Sequence, residues 1–165
     1  MIELGCKRNK RCDFVIRGIS FKVPQKNQNM LCEILSGIDI SAYSWCCIKN
    51  QTEVWDKVSE KELFDETNYN GNDFLKCIQT PHYMIFLKLQ AYYQTHNFYE
   101  IQSYENFIDS DCQIIVLVYD CEFVEIYAKD ITVCNSIYKK ASQSGYDDVS
   151  YITEDNDRRT KMSII

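Results

Sequence analysis

The stretch CQIIVLVYDCEFVEIYAKD, residues 112–130, constrains this chain more than any other. Residues 114–119 are apolar without a break, as in a central strand covered on both faces. Asp120 and Cys121 stand where a tight loop belongs. Residues 122–128 then return with alternation, Phe123 and Tyr127 opposite Val124 and Ile126. A β-hairpin so placed demands partner strands, and the flanking segments offer them.

Ile19, Phe21 and Val23 alternate with Ser20 and Lys22, a half-buried strand that Pro24 ends. HYMIFLKLQAY (82–92) predicts another, with Tyr83, Ile85, Leu87 and Leu89 on one face and Lys88 and Gln90 on the other. SAYSWCCIKNQTEVW predicts one or two short strands, DVSYIT a later one, and KMSII a short last one. Leu31, Ile34, Leu35 and Ile38 mark a helical face, with Asn27 as its cap and Gly37 at its end. Ser59 and Glu62 have capping-box spacing and predict a short helix. YNGND reads as a turn, and DFLKCIQTP as a helix stopped before Pro81. Ser103 can cap a two-turn helix, and Asp130 can cap a longer one with a Val133, Ile137, Ala141 stripe ended by Gly145. Helices scattered among antiparallel strands predict an α+β fold: one domain, a mixed, mainly antiparallel sheet, and helices packed mostly on one face.

The chain has 165 residues and net charge −6. Lys7, Arg8, Lys10 and Arg11 against Glu3 give residues 1–12 a charge of +3, so the rest carries −9. Residues 1–12 show no periodicity and read as a poorly ordered basic extension to a globular domain over 13–165. The acidic body disfavours nucleic acid and favours a basic protein partner. Nine cysteines lack any C-x-x-C spacing or zinc-like pairing with histidine, so neither a disulfide framework nor a metal or other cofactor is expected. Thiols without a framework fit a reducing cytoplasm. No apolar run approaches a membrane span, and no secretory leader is expected at the start.

RGISFKVP (17–24), the segment from Asp39 to Trp45, SDCQIIVLVYD (110–120) and YITEDNDRRT (151–160) resemble a family of small proteins of unknown function from spore-forming Gram-positive bacteria, domain of unknown function 2691. The likeness runs from about residue 16 to the end. It implies a bacterial cytosolic protein and brings no activity, cofactor or catalytic residue.

Four constellations could carry chemistry. The first is Asp155, Asp157, Arg158 and Arg159. An EF-hand loop starting at Asp155 would need Gly at its sixth position, where Thr160 stands. A grip on phosphate or carboxylate by two Arg forks, a structural ion-pair network and a solvated turn all remain open. The second is Cys46–Cys47 beside Trp45, which on a strand puts one thiol inward and one outward. The third pairs His82 or His96 with a cysteine, without a local signature in support. The fourth is the aromatic run 90–107, where Tyr92, Tyr93, Phe98 and Tyr99 suit either a contact surface or a loop pinned to the body.

The sequence therefore predicts a non-catalytic cytosolic binding or regulatory module with an acidic surface and an aromatic contact patch. The rivals are a small enzyme or ligand-binding domain for a polar or phosphate-bearing molecule, and an immunity-type inhibitor of a basic toxin.

Overall fold

A computed structural model describes residues 15–24, 28–93 and 98–164. Its centre is the predicted hairpin: β6 (Cys112–Tyr119) pairs with β7 (Phe123–Ala128) from Ile114↔Ala128 to Tyr119↔Phe123. Asp120 and Cys121 both take left-handed φ, +50° and +65°, the sign a right-twisted hairpin needs at its tip. The Glu122 N–H closes the turn on the Tyr119 carbonyl at 3.3 Å.

The other strands are β1 (Ile16–Lys22), β2 (Ser44–Cys47), β3 (Glu53–Asp56), β4 (Asn68–Tyr69), β5 (His82–Tyr92) and β8 (Asp147–Thr153). They form one sheet in the order β4-β2-β5-β6-β7-β1-β8, with β3 also on β5. Every pairing is antiparallel. The helices are α1 (Met30–Ile34), α2 (Gly71–Gln79), α3 (Tyr104–Asp109) and α4 (Ile131–Gln143). The fold is α+β, as the pattern predicts.

Helices α1, α2 and α4 cover one face. Leu31, Phe74, Ile78, Ile137 and Ala141 enter a core there with Ile19, Leu87, Leu89 and Val116. Trp45 stacks on Phe74 with centroids 4.5 Å apart, and its indole N–H donates to the Ile40 carbonyl at 3.0 Å. Gly71 permits this docking: a Cβ there would sit 2.6 Å from the Ile40 carbonyl oxygen.

The second face is covered as well, by α3, residues 98–102 and the tail to Ile164. Ile101, Phe107, Ile115, Leu117, Tyr127 and Met162 form a separate buried cluster there. Lys88 and Gln90 point away from Leu87 and Leu89, as predicted, and both are 0% exposed. Two expectations are overturned: Met84 joins Leu87 and Leu89 in the core while Tyr83 is 41% exposed, and no thiol of the Cys46–Cys47 pair faces outward. Cys46 and Cys47 take opposite faces, but both are buried, because neither face meets water.

Three local expectations also fail. No helix forms at Ser59–Glu62. The Asp56 carboxylate accepts the N–H groups of Val58 and Ser59, Glu60 turns left-handed at φ +59°, and Glu62 bridges back to Trp55, so the segment folds onto β3 instead. YNGND is not a free turn: Tyr69 lies in β4, Asn70 caps α2 and Gly71 begins it. Residues 161–164 of KMSII make no strand, and Ile165 lies outside the described residues; Met162 N–H donates to the Gln102 carbonyl at 3.0 Å and Ile164 N–H to the Gln51 side chain at 2.8 Å. Asn27 and residues 1–12 lie outside the described residues, and α1 starts at Met30. Ser103, Asp130 and Gly145 act as predicted: two caps that accept N–H groups and a stop at φ +70°.

Candidate functional site

Antiparallel register brings the end of β5, the start of β6, the end of β7 and the start of β2 to one end of the sheet. Tyr93, 58% exposed, follows β5 there and stacks on the buried Tyr43 with centroids 5.4 Å apart. Burial raises the Tyr43 phenol, and Tyr93, Asp130 and Asp39 add to the rise. Those groups are therefore close neighbours. Asp130 caps α4, whose first residue, Ile131, is 47% exposed. Lys129 reaches the Ser110 carbonyl and lies 5.3 Å from the Phe107 ring centre, beside the half-exposed Ile108. Burial lowers the Lys129 ammonium, with Asp111 and Asp109 among the charges that oppose the fall. Exposed apolar side chains thus sit among Asp39, Asp109, Asp111 and Asp130, all exposed, with Lys129 as their cation.

The four aromatic residues divide. Tyr93 and Tyr99 are exposed, while Tyr92 is 4% exposed and packs on Phe98 with centroids 4.6 Å apart. Alternation around a chain that leaves a strand separates Tyr92 from Tyr93.

The charged turn divides too. Asp157 accepts from the Arg17 guanidinium at 3.2 Å and the Tyr127 hydroxyl at 3.1 Å, with its side chain 3% exposed. Arg159 grips Glu125 with two nitrogens, at 2.6 and 2.7 Å, and donates to the Ser163 carbonyl at 2.8 Å. Asp155 and Arg158 are exposed. A cavity of about 350 Å³ takes in Asp157, Arg158 and Arg159 but not Asp155. Arg159 is turned to Glu125, so the two Arg forks do not share one target.

Five of the described cysteines and His82 are held in unreactive states. Burial pushes the thiols of Cys46, Cys47, Cys77 and Cys134 up to about 11 and that of Cys112 to about 12. Burial lowers His82, whose Nε2 accepts the Leu31 N–H at 3.1 Å while Nδ1 donates to the Thr80 carbonyl at 2.7 Å. Both ring nitrogens are spent on fixing α1 to β5. His96 lies outside the described residues. Among those described, no three His, Cys, Asp or Glu side chains could hold a metal ion, and no helix is long and apolar enough to cross a membrane.

Alternation gives the side Lys88 takes but not its burial, and there it is the centre of a polar group on the second face. Its ammonium donates to the Glu100 carboxylate at 3.2 Å and the Ile101 carbonyl at 2.6 Å. Gln51 also donates to Glu100. Gln90 accepts the Ile101 N–H at 2.8 Å and donates to the Tyr99 carbonyl at 2.9 Å. These side chains supply the backbone bonds that residues 99–101 lack for want of a strand partner. Burial lowers the Lys88 ammonium, and Glu100 opposes the fall.

The family described as Protein of unknown function (DUF2691) matches residues 16–163, and the chain belongs to it. It is similar to "Uncharacterized protein YncE" of Bacillus subtilis (strain 168), 32% identical over 151 residues, which cover 90% of this chain and 99% of that protein. No solved structure matches it.

Proposed function

We propose that this member of a family without an assigned activity is a non-catalytic cytoplasmic binding module, and that it docks a basic segment of a protein partner on the acidic, aromatic end of its sheet. One observation carries the reading: Tyr93, Ile131 and Ile108 stay exposed at the same sheet end as Asp39, Asp109, Asp111 and Asp130. Exposed apolar side chains rimmed by one sign of charge suit an interface whose partner has the other sign. The raised thiols and the doubly bonded His82 support the non-catalytic part, since a nucleophile or base needs an available charged or basic form.

Affinity capture with the full chain tests this. The expected result is a basic protein recovered reproducibly, lost from Tyr93→Ser/Ile131→Ser and from Asp39→Lys/Asp109→Lys, with both variants melting within a few degrees of the parent. Equal recovery with all three baits overturns the assignment of the surface. Recovery of nothing reproducible overturns the module itself.

A further inference from the structure

The second face of the sheet holds a cavity of about 500 Å³ that begins where the charged turn ends, at Thr160. Its walls come from three separate segments: residues 50–51, 100–103 and 160–163. Gln51 and Glu100 are already engaged. Gln51 donates to Glu100 and accepts the Ile164 N–H, and Glu100 is held by the fully buried Lys88. By contrast, Asn50, Gln102, Thr160 and Lys161 are exposed, line the same cavity, and make no side-chain hydrogen bond or ion pair among the described residues, so their polar groups are open to a ligand in exchange for water.

We infer that this cavity is a binding site for a small, uncharged, hydroxyl-rich molecule, a sugar or polyol. The chemistry of the wall selects that class by exclusion and by match. Among the described residues no aromatic ring lines the cavity, so a nucleobase finds no stacking partner there. Among them no aliphatic side chain lines it either, so a lipid or drug-like ring gains little by entering. Among them Lys161 is the single cation, on a wall that also carries the Glu100 carboxylate, so a phosphate meets no cationic cradle. What remains is a set of groups that both donate and accept: amides of Asn50 and Gln102 and the Thr160 hydroxyl. A hydroxyl also donates and accepts, so a polyol can answer each of them. The volume lies within the range of about 300–1,000 Å³ usual for small-molecule sites. Lys88 and Gln51 act as positioning residues, because they fix Glu100 before any ligand arrives. The inference is independent of the docking end, and either can fail alone.

Calorimetric titration of the full chain with glucose, ribose, myo-inositol and sorbitol, beside inorganic phosphate, tests it. At least one polyol is expected to bind saturably. The variant Gln102→Ala/Thr160→Val should weaken that polyol by roughly tenfold, the loss of about two hydrogen bonds, without a change in melting. The backbone amide signal of Ile164, bonded to Gln51, should shift on saturation of the parent protein, which reads the site without any variant. Absence of saturable polyol binding overturns the inference. So does tighter binding of phosphate, a polyol affinity untouched by the double substitution, or an Ile164 signal that does not move.

Discussion

Lys88 shows what a face assignment leaves open. Alternation puts it on the face of β5 opposite Leu87 and Leu89, and its side chain does leave the main core. It then meets the segment 99–101, not water. An ammonium with no solvent must be paired, and Glu100 with the Ile101 carbonyl supplies the partners. Replacing it by Met keeps the stem but leaves Glu100 and that carbonyl short of a donor. Lys88→Met should therefore cost about 3 kcal/mol in urea denaturation, well above an exposed ion pair at about 0–1 kcal/mol. A loss below 1 kcal/mol would show that the pair does not hold residues 99–101. The same position could not be recognised from its neighbours, because its burial depends on Glu100, twelve residues on, crossing the sheet.

Among elements, β8 raises the edge problem. Among the described residues it pairs only with β1, and an open edge invites another strand. The Glu154 N–H points to β1, to the Val15 carbonyl, so Tyr151 and Thr153 present their backbone groups outward. Asn156 answers both: its amide donates to the Tyr151 carbonyl at 3.0 Å and accepts the Thr153 N–H at 2.7 Å. One side chain thereby imitates a neighbouring strand. Asn156→Ala should lose about 1 kcal/mol of stability and raise self-association with concentration, read by light scattering. Association no greater than the parent's would show that the edge is protected by other means. The charged turn is thus in part a cap for the sheet, a role not visible in TEDNDRRT because it needs β8 beside it. The caps at Ser103 and Asp130, by contrast, were legible, since an N-cap acts within three residues along the chain.

At the scale of the molecule, two covered faces bury most of the thiols. In an unfolded chain a thiol titrates near 8.5. In the folded protein Cys46, Cys47, Cys77 and Cys134 stand at about 11 and Cys112 at about 12. Between those limits the folded state holds more protons, so stability falls as pH rises. The stabilisation is complete below pH 8.5 and drains away toward pH 11. The lowered Lys88 and Lys129 work in the opposite direction, but they are two groups against six, since burial raises Cys32 as well. The urea midpoint should be clearly lower at pH 10 than at pH 8. An equal or higher midpoint at pH 10 would mean that the thiols titrate as if exposed.

The local code was sufficient for whatever depends on near neighbours. The hairpin at Asp120–Cys121, the stripe on α4, the caps and the α+β class all follow from period, turn chemistry and propensity. The burial of the four aromatic residues was not legible: Tyr93 and Tyr99 stay at the surface, while Tyr92 and Phe98 pack inward. Only the tertiary structure decided that the second face is roofed. That one fact buries Lys88, Gln90 and Cys46, and it creates the polar cavity. Alternation reports which side of a strand a residue takes. Whether water or another segment waits on that side is set by contacts far apart along the chain, which no local pattern encodes.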